Sequence, residues 1–196
     1  MMIIVDDFIK DTSLLQELDS DKTFFDSPGQ YMWWGGPWNS QASTLKHRLI
    51  EEIWIKNSPW DFPRYNPITL SGFEYWTGKY SPSDVDDDSN DNLIMHYDKD
   101  EPHWQSTGEI ITPLMGSVFY PKPMDIDGGY LEIFSKGREM EPERIEAKYN
   151  RLIIFPAGEH IHRVTTVTRG TRYAIAINLW DLPPSGVESG ELILEK

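Results

Sequence analysis

The sequence predicts a mainly β fold, a double-stranded β-helix or jelly roll, with supporting N-terminal α-helices. From about residue 70 onward, short apolar segments alternate with turns rich in glycine, proline and aspartate, which is the pattern of an antiparallel sandwich or barrel. Before that point, apolar positions recur at helical spacing. The 196 residues suffice for one core, and no repeat or linker divides them. We therefore expect a single domain, with mainly helical support in 1–69, the jelly-roll core in 70–181 and a C-terminal tail in 182–196.

Two helices are predicted in the N-terminal third of the chain. Residues 11–20 form a short helix and residues 39–57 a longer one. The longer helix has an apolar face made of Leu45, Leu49, Ile50, Ile53 and Trp54. Such a face needs an apolar partner, so we expect the helices to pack on the outside of the sheet.

The composition limits the classes of partner and site. The chain has no cysteine, which excludes disulfides and thiolate metal sites. Its formal net charge of -14 repels phosphate backbones, so we expect no nucleic-acid partner. The first ten residues include an apolar patch too short for a membrane span and have no basic leader, which predicts no membrane association and a cytoplasmic location.

The residues that carry chemistry begin with His96 and Asp98. An apolar run leads into His96, and residues two apart in a strand project to the same face, so these two side chains should converge. His162 follows in a return strand, 160–167, after the buried strand 151–156 and a turn. Two imidazoles and one carboxylate on one face of Fe(II) leave three positions open, as oxygen activation requires. The same ligand types suit zinc, so a zinc hydrolase stays open on ligands alone.

A cation is predicted beyond the last of these ligands. Arg172 lies ten residues after His162, at the start of the strand 172–180. A guanidinium is always charged and presents parallel donors to a carboxylate, a bidentate fit that lysine cannot reproduce. Arg172 could therefore hold an acidic cosubstrate, for which a zinc hydrolase or a simple metal-binding protein has no need.

Four segments look, in order and in spacing, like the successive core strands of one enzyme family. They are residues 128–134 (GGYLEIF), 151–155 (RLIIF), 162–164 (HRV) and 170–180 (GTRYAIAINLW). In these segments the chain resembles the 2-oxoglutarate and Fe(II)-dependent dioxygenases of the prolyl 4-hydroxylase type. The resemblance covers roughly residues 70 to 181. It implies that His96, Asp98 and His162 are the iron ligands at the catalytic centre, and that Arg172 pairs with the distal carboxylate of 2-oxoglutarate.

The resemblance also suggests tyrosines that could bind the same carboxylate. Tyr120 falls where enzymes of the oxygen-sensing branch place such a hydroxyl, and its alternative role is simple core packing. Tyr75 is a second candidate, although a long insertion separates it from His96.

The reaction implied by the resemblance is hydroxylation of a C–H bond, with release of succinate and carbon dioxide. It requires Fe(II), with 2-oxoglutarate and O2 as cosubstrates, and ascorbate is an additional candidate cofactor. A prolyl residue is the commonest substrate in this branch, so a peptide or protein is the expected partner. A free amino acid or small metabolite stays open as the substrate, and so does a non-catalytic metal-binding jelly-roll protein.

Two loops are candidates for contact with a substrate. Residues 31–38 (YMWWGGPW) place the Trp33-Trp34 pair next to glycines, which suits a lid or a peptide-gripping surface, or else packing between helix and sheet. Residues 81–91 form an acidic insertion before the metal strand. We expect a solvated loop there, because the glycine and terminal glutamate of a calcium-binding loop are missing.

A few residues near the motif have weaker signals. His103 and His160 are candidates for supporting or solvent-facing groups. Asn178 and Trp180 are expected to pack in the final strand or to border the mouth of the site. The pair at 128–129 predicts a turn, because Gly-Gly favours positive φ.

Overall fold

The structure, a computed structural model, describes residues 1–60 and 70–185. Its elements follow in chain order: β1 Ile3–Val5, α1 Thr12–Ser20, β2 Met32–Trp34, α2 Leu45–Glu51, a π-helical turn Glu52–Lys56, β3 Gly72–Tyr80, β4 Asp91–His96, α3 Glu101–Thr107, β5 Met115–Phe119, β6 Asp127–Gly128, β7 Leu131–Ile133, β8 Glu143–Ile145, β9 Leu152–Phe155, β10 His162–Thr165, β11 Val167–Arg169 and β12 Arg172–Trp180. Within the described ranges, no helix has the length and apolar character needed to cross a membrane.

The strands form two main antiparallel sheets. The larger sheet has six strands in the order β1-β9-β5-β12-β3-β2, and the smaller has four in the order β4-β10-β7-β8. A short ribbon pairs β11 with β6. From β3 onward the chain crosses repeatedly between the sheets, so most neighbours in each sheet are distant in sequence. The mainly β, antiparallel architecture predicted from the sequence is confirmed.

Strand β12 separates two environments by its alternation. Ile175, Ile177 and Leu179 belong to the core on the helical side of the large sheet. Arg172 and Ala174 point the other way, into the space between the sheets. Successive side chains of a strand face opposite sides, so one strand can anchor the helices and line a cavity at once.

The helical core is built on the face predicted for the second helix. Leu49, Ile50, Ile53 and Trp54 are fully buried, and Leu45 packs partly buried against them. Burying four large apolar side chains stabilises the fold by roughly 1.5–3 kcal/mol each. The helix therefore attaches to the sheet through the predicted residues.

The predicted start of that helix is wrong. The structure begins it at Leu45, where the Thr44 hydroxyl accepts the His47 backbone N–H as an N-cap. The backbone N–H groups of Asn39 and Ser40 instead bond to the Gly36 carbonyl in a turn. The spacing of apolar residues does not show that a turn uses these two backbone N–H groups. The N-cap at Thr44 therefore sets where the helix begins.

The N-terminal segment also supplies two strands that the sequence analysis did not predict. β1 pairs with β9, and β2 pairs with β3, so both edges of the large sheet come from this segment. The helix predicted at 11–20 is present as α1, with the Asp11 carboxylate accepting the Ser13 N–H. The segment thus combines helical support with sheet extension. Of the predicted C-terminal tail, residues 186–196 lie outside the described residues.

The remaining predicted strands are present with altered limits. The strand at 172–180 is confirmed in full, and 151–156 contains β9. The return strand predicted at 160–167 breaks after Thr165 and gives β10 and then β11. Gly128 and Gly129 have positive φ of 78° and 65°, as the turn requires.

The segment between β1 and α1 is attached to the sandwich through Asn150. Its side chain accepts the Ile9 N–H at 2.9 Å and donates to the Ile9 carbonyl at 3.1 Å, and its backbone has a positive φ of 57°. We expect Asn150→Ala to lower the free energy of unfolding by about 2–4 kcal/mol, because both buried bonds are lost and alanine strains this conformation. Urea denaturation measures the change.

The matched control is Asn90→Ala, since Asn90 has a similar φ of 56° but is exposed. It should lose only the conformational part, about 1 kcal/mol. Equal losses in the two variants would show that the bonds to Ile9 contribute nothing.

Candidate metal centre

The structure brings His96, Asp98 and His162 to one point at the open end of the smaller sheet. His96 and His162 are a cross-strand pair of β4 and β10. Their Nε2 atoms lie 3.4 Å and 3.6 Å from one oxygen of Asp98. All three ligand atoms lie within 4.8 Å of one another. The convergence predicted from sequence is present, although each residue reaches it differently.

Asp98 does not lie on the metal strand as predicted. β4 ends at His96, and Asp98 follows in a loop whose backbone N–H bonds to the Ala157 carbonyl at 3.0 Å. That bond ties the loop to the turn before His162. Strand alternation therefore places His96, whereas a loop contact places Asp98.

Backbone carbonyls orient both histidines. His96 Nδ1 lies 2.7 Å from the Ile94 carbonyl, and His162 Nδ1 lies 3.0 Å from the His160 carbonyl. A carbonyl can only accept, so each Nδ1 carries the proton and each Nε2 keeps its lone pair toward Asp98. This is how proteins fix the tautomer of a metal-ligating histidine.

The donor set fits a six-coordinate ferrous ion. Ligands bound at about 2.1 Å on one face of an octahedron would lie about 3 Å apart, and the two distances to Asp98, 3.4 Å and 3.6 Å, are close to that separation. Two histidines and one carboxylate are the facial triad of non-haem iron oxygenases. The residues present therefore fit Fe(II).

The charge states of the site suit metal binding. Burial lowers the pKa of His162, which keeps its imidazole neutral. Burial alone would raise the pKa of Asp98, but the neighbouring histidines and a hydrogen bond from Asn178 outweigh it and lower that pKa. Asp98 is thus an ionised carboxylate beside the neutral imidazole of His162.

A buried guanidinium lies in the same cavity as the triad. Arg172 is 2% exposed and donates to the Gly129 carbonyl and to the Tyr120 hydroxyl, each at 3.1 Å. Within residues 1–60 and 70–185, every ion pair between an arginine and a carboxylate involves an arginine other than Arg172. The Arg172 guanidinium therefore has no carboxylate partner in this part of the chain. A buried charge without an opposite charge is costly, so this one is suited to an anionic ligand.

The space between triad and guanidinium is kept open by small residues. The cavity has an empty volume of about 490 Å³, its open mouth included. Gly78, Ala174 and Ala176 line it from the large sheet, and Leu131 and Val164 line it from the small one. Apolar walls with polar groups at both ends suit a small dicarboxylate.

Tyr75 does not belong to this cavity, contrary to the role suggested for it. Its ring lies in the helical core, and its hydroxyl is 3.0 Å from His47 Nε2. Tyr75 occupies an odd position on β3, whereas the even positions face the cavity. Tyr120, by contrast, lies beside Arg172 as suggested.

Tyr80 occupies the place that the sequence analysis sought for a second tyrosine. It is the cross-strand neighbour of Arg172, and its ring centre lies 6.0 Å from the guanidinium carbon. It also lines the cavity. Pairing β3 with β12 in register would have identified it, but a single sequence gives no register.

A buried polar group behind the metal ligands was also missed. Glu74 is 9% exposed and accepts the Asn178 amide at 3.5 Å. Burial, together with the nearby Asp98 charge, raises the pKa of Glu74 to about 8. Asn178, expected to pack or to border the mouth of the site, is therefore a buried hydrogen-bond donor to Glu74.

The aromatic segment 31–38 divides between packing and the site. Trp34 stacks on His47 with ring centres 4.7 Å apart, which is packing between helix and sheet. The Tyr31 ring packs at a tilt of 33° against Trp76, a cavity residue, with ring centres 4.6 Å apart. Burial and the charge of Asp98 raise the pKa of Tyr31, which keeps its hydroxyl protonated at the rim.

The other flanking candidates do not join the triad. His103, on α3, lies 3.3 Å from the Glu109 carboxylate. His160 supports the site only through its backbone carbonyl. In the acidic insertion, Asp84 accepts the Ser81 N–H, so its charge stabilises the loop itself.

Comparison with known sequences gives one superfamily. The sequence model of the 2OG-Fe(II) oxygenase superfamily matches residues 85–180. A PKHD-type hydroxylase of Pseudomonas fluorescens (strain Pf0-1) is 35% identical over 69 residues, which are 35% of this chain and 29% of that protein. The chain therefore matches less than a third of that relative's length.

Solved structures with the same fold include a Pseudomonas putida prolyl-4-hydroxylase, with a TM-score of 0.59, 17% identity and 91% of each chain covered. IDO from Bacillus thuringiensis has a TM-score of 0.56 and 14% identity, with 91% of this chain and 88% of that chain covered. A prolyl 4-hydroxylase structure from Phytophthora capsici has a TM-score of 0.50 and 16% identity, with 91% and 58% covered. At such identities the likeness shows the fold, and it confirms the predicted jelly roll.

The fold and the ligand set define a non-haem iron oxygenase domain. Within that class, residues 85–180 match the 2OG-Fe(II) oxygenase superfamily, and the chain has the fold of a prolyl 4-hydroxylase. Fe(II), 2-oxoglutarate and O2 are the cofactor and cosubstrates of this family, in agreement with the sequence analysis.

Glu74 should make the stability of the metal-free protein depend on pH. Because its folded pKa of about 8 lies above the model-compound value of 4.5, the folded protein keeps a proton that the unfolded chain releases. The free energy of unfolding therefore falls as pH rises between about 4.5 and 8, with a slope from this group of about 1.4 kcal/mol per pH unit.

Glu74→Gln has no such proton to lose and should remove this part of the slope, as measured by urea denaturation across that pH window. Glu139→Gln, at an exposed position, is the control and should leave the slope unchanged. Parallel curves for the wild-type protein and Glu74→Gln would contradict the assignment.

Proposed function

We propose that the protein is a 2-oxoglutarate- and Fe(II)-dependent dioxygenase that hydroxylates a C–H bond of its substrate, with a prolyl residue in a peptide or protein as the leading target. The observation that carries the proposal is the presence, in one cavity, of a facial triad and a buried guanidinium that has no carboxylate partner among the described residues. A metal-binding protein without turnover would need the facial triad but not the buried guanidinium.

Each cavity residue has a defined task in this proposal. Nε2 of His96, Nε2 of His162 and the Asp98 carboxylate would hold Fe(II) from one side. Arg172 and Tyr120 would receive the distal carboxylate of 2-oxoglutarate, with two guanidinium N–H groups and a hydroxyl as donors. Tyr80 would close the cavity beside them. The bound cofactor would supply oxidation of an unactivated C–H bond, coupled to release of succinate and carbon dioxide.

The charges of the filled site would balance. Fe(II) with one ionised aspartate and two neutral histidines carries a net charge of about +1, and 2-oxoglutarate brings about −2. Arg172 supplies the remaining positive charge. Balance matters here because the cavity excludes the water that would otherwise screen these groups.

The choice of substrate rests on family association. The PKHD-type relative is named as a hydroxylase, and the prolyl 4-hydroxylases share this fold. Trp76, which lines the cavity and packs against Tyr31, offers an aromatic wall that would suit an apolar ring such as proline. We further propose that the enzyme acts in the cytoplasm, as expected from the sequence.

Succinate formation tests the proposal. Protein purified without oxygen is supplied with Fe(II), 2-oxoglutarate and then O2, with and without a pool of proline-containing peptides. We expect turnover that rises with peptide in the wild-type protein and is lost in His162→Ala, while His103→Ala, outside the triad, keeps it. Turnover that does not rise with peptide would indicate that the substrate is a free amino acid or a metabolite. Absence of both 2-oxoglutarate binding and succinate would overturn the enzyme assignment.

Arg172→Ala should raise the apparent 2-oxoglutarate requirement by about 5- to 150-fold, which corresponds to roughly 1–3 kcal/mol of lost charge-assisted bonding. Initial rates of succinate release at varied 2-oxoglutarate measure it. Arg169→Ala is the matched control, because Arg169 pairs with Asp125 and Asp127 on the surface. An unchanged requirement in Arg172→Ala would place the anchor elsewhere.

A further inference from the structure

We infer that Gly116 and Gly158 are positioning residues for the metal centre, because each leaves the space that the turn between β9 and β10 occupies. This turn, residues 156–160, orients two of the three proposed ligands. The inference rests on the proposed metal centre and adds two residues to it. Neither glycine would touch the metal.

Backbone carbonyls of this turn orient Asp98 and His162. The Ala157 carbonyl accepts the Asp98 backbone N–H at 3.0 Å. The His160 carbonyl lies 3.0 Å from Nδ1 of His162. A displacement of the turn would therefore move both of these ligands, whereas His96 lies on its own strand, β4.

The turn is closed by its own hydrogen bonds. The Pro156 carbonyl accepts the backbone N–H groups of Glu159 and His160, at 3.0 Å and 2.9 Å. The two carbonyls that orient the ligands are thus parts of one hydrogen-bonded unit. A push on Ala157 would be transmitted to His160.

Gly116 gives the turn its space against the large sheet. A Cβ atom built there would lie 2.5 Å from the Ala157 Cβ and 2.9 Å from Asn178 Oδ1. The amide is the end of a side chain and can turn aside, but Ala157 is buried and can yield only if the turn moves. Gly116 lies on β5, which is paired with β9 on one side and β12 on the other, so this strand is held in place.

The displacement would exceed what a metal site tolerates. Because two carbon atoms in ordinary contact lie roughly 3.5–4.0 Å apart, an alanine at position 116 would push Ala157 away by about 1 Å. Ligating groups need to be held within about 0.5 Å of their productive geometry. The Ala157 carbonyl would pass the shift to Asp98, whose carboxylate oxygen lies 3.4 Å and 3.6 Å from the two histidine Nε2 atoms.

Gly158 gives the turn its space against the segment between α3 and β5. A Cβ atom built there would collide with the Cβ and Oγ1 atoms of Thr112, in that segment. The same segment binds the loop of Asp98, since the Ile111 carbonyl accepts the Asp100 N–H at 2.8 Å. The loop is thus bonded to the turn at Asp98 and to the segment two residues later, so the turn and the segment have to lie close together.

Binding of Mn(II) to the metal-free protein tests the inference without any need for turnover. Neither glycine has a positive φ, so alanine suits the backbone at both positions and only the lack of space opposes it. Isothermal titration should show one site in the wild-type protein and none in Asp98→Ala. Gly116→Ala should weaken Mn(II) binding by about 10- to 100-fold, the loss usual when a group that supports a metal ligand is disturbed.

A compensating substitution identifies the contact. Combining Gly116→Ala with Ala157→Gly moves one methyl group across the same contact, and should restore Mn(II) binding to within about 3-fold of the wild type, as should Ala157→Gly alone. Ile177→Val is the control for stability. It removes a buried methylene from the helical side of β12, next to Asn178 in sequence, and should bind Mn(II) as the wild type does.

Thermal unfolding of each metal-free variant separates positioning from folding. If Gly116→Ala does not fold, Gly158→Ala takes its place, because Gly158 is partly exposed, and it should weaken Mn(II) binding as well. Wild-type affinity in the folded alanine variant, or a loss in Gly116→Ala that Ala157→Gly does not restore, would overturn the positioning role and leave the metal centre intact. Failure of the wild-type protein to bind Mn(II), or unchanged binding by Asp98→Ala, would overturn the metal centre and this inference together.

Discussion

The alternation of side chains along β3 and β12 is the constraint on which the rest of this structure depends. These two central strands pair over nine residues, with the helices on one side and the cavity on the other. Odd positions bury Phe73, Tyr75 and Ile177 against the helices. Even positions, among them Trp76, Tyr80 and Arg172, line the cavity. A slip of one residue would exchange the two sets, so the apolar core also fixes the register of the site.

The cavity has opposite charge character at its two ends. At one end the buried Arg172 guanidinium is held by a carbonyl and a tyrosine hydroxyl. At the other end lies the Asp98 carboxylate, whose charge contributes to the raised pKa of the buried Glu74. Such a distribution is costly in an empty cavity, because buried charges lose their hydration. It becomes favourable when a cation and a dicarboxylate fill the space, so much of the binding energy is prepared by the fold.

The sequence was most informative where a short pattern coincided with a structural element. The strand 172–180 and the apolar face of the second helix required only periodicity. The ligand set required His96, Asp98 and His162 to be recognised as one group, although Asp98 reaches it by a loop contact and not by strand alternation. The errors occurred where backbone donors had a choice of partner, as at Asn39, whose N–H joins a turn.

What the sequence by itself determined is the class of fold and the chemistry of the donor set, because these depend on local periodicity and on residue types. What only the tertiary structure decided is which side chains share the cavity. Tyr75 and Tyr80 lie on one strand and have the same chemistry, yet one packs against a helix and the other lies beside Arg172. The pairing of β3 with β12 makes that distinction, and pairing between strands that are distant in the chain is not encoded in either segment alone.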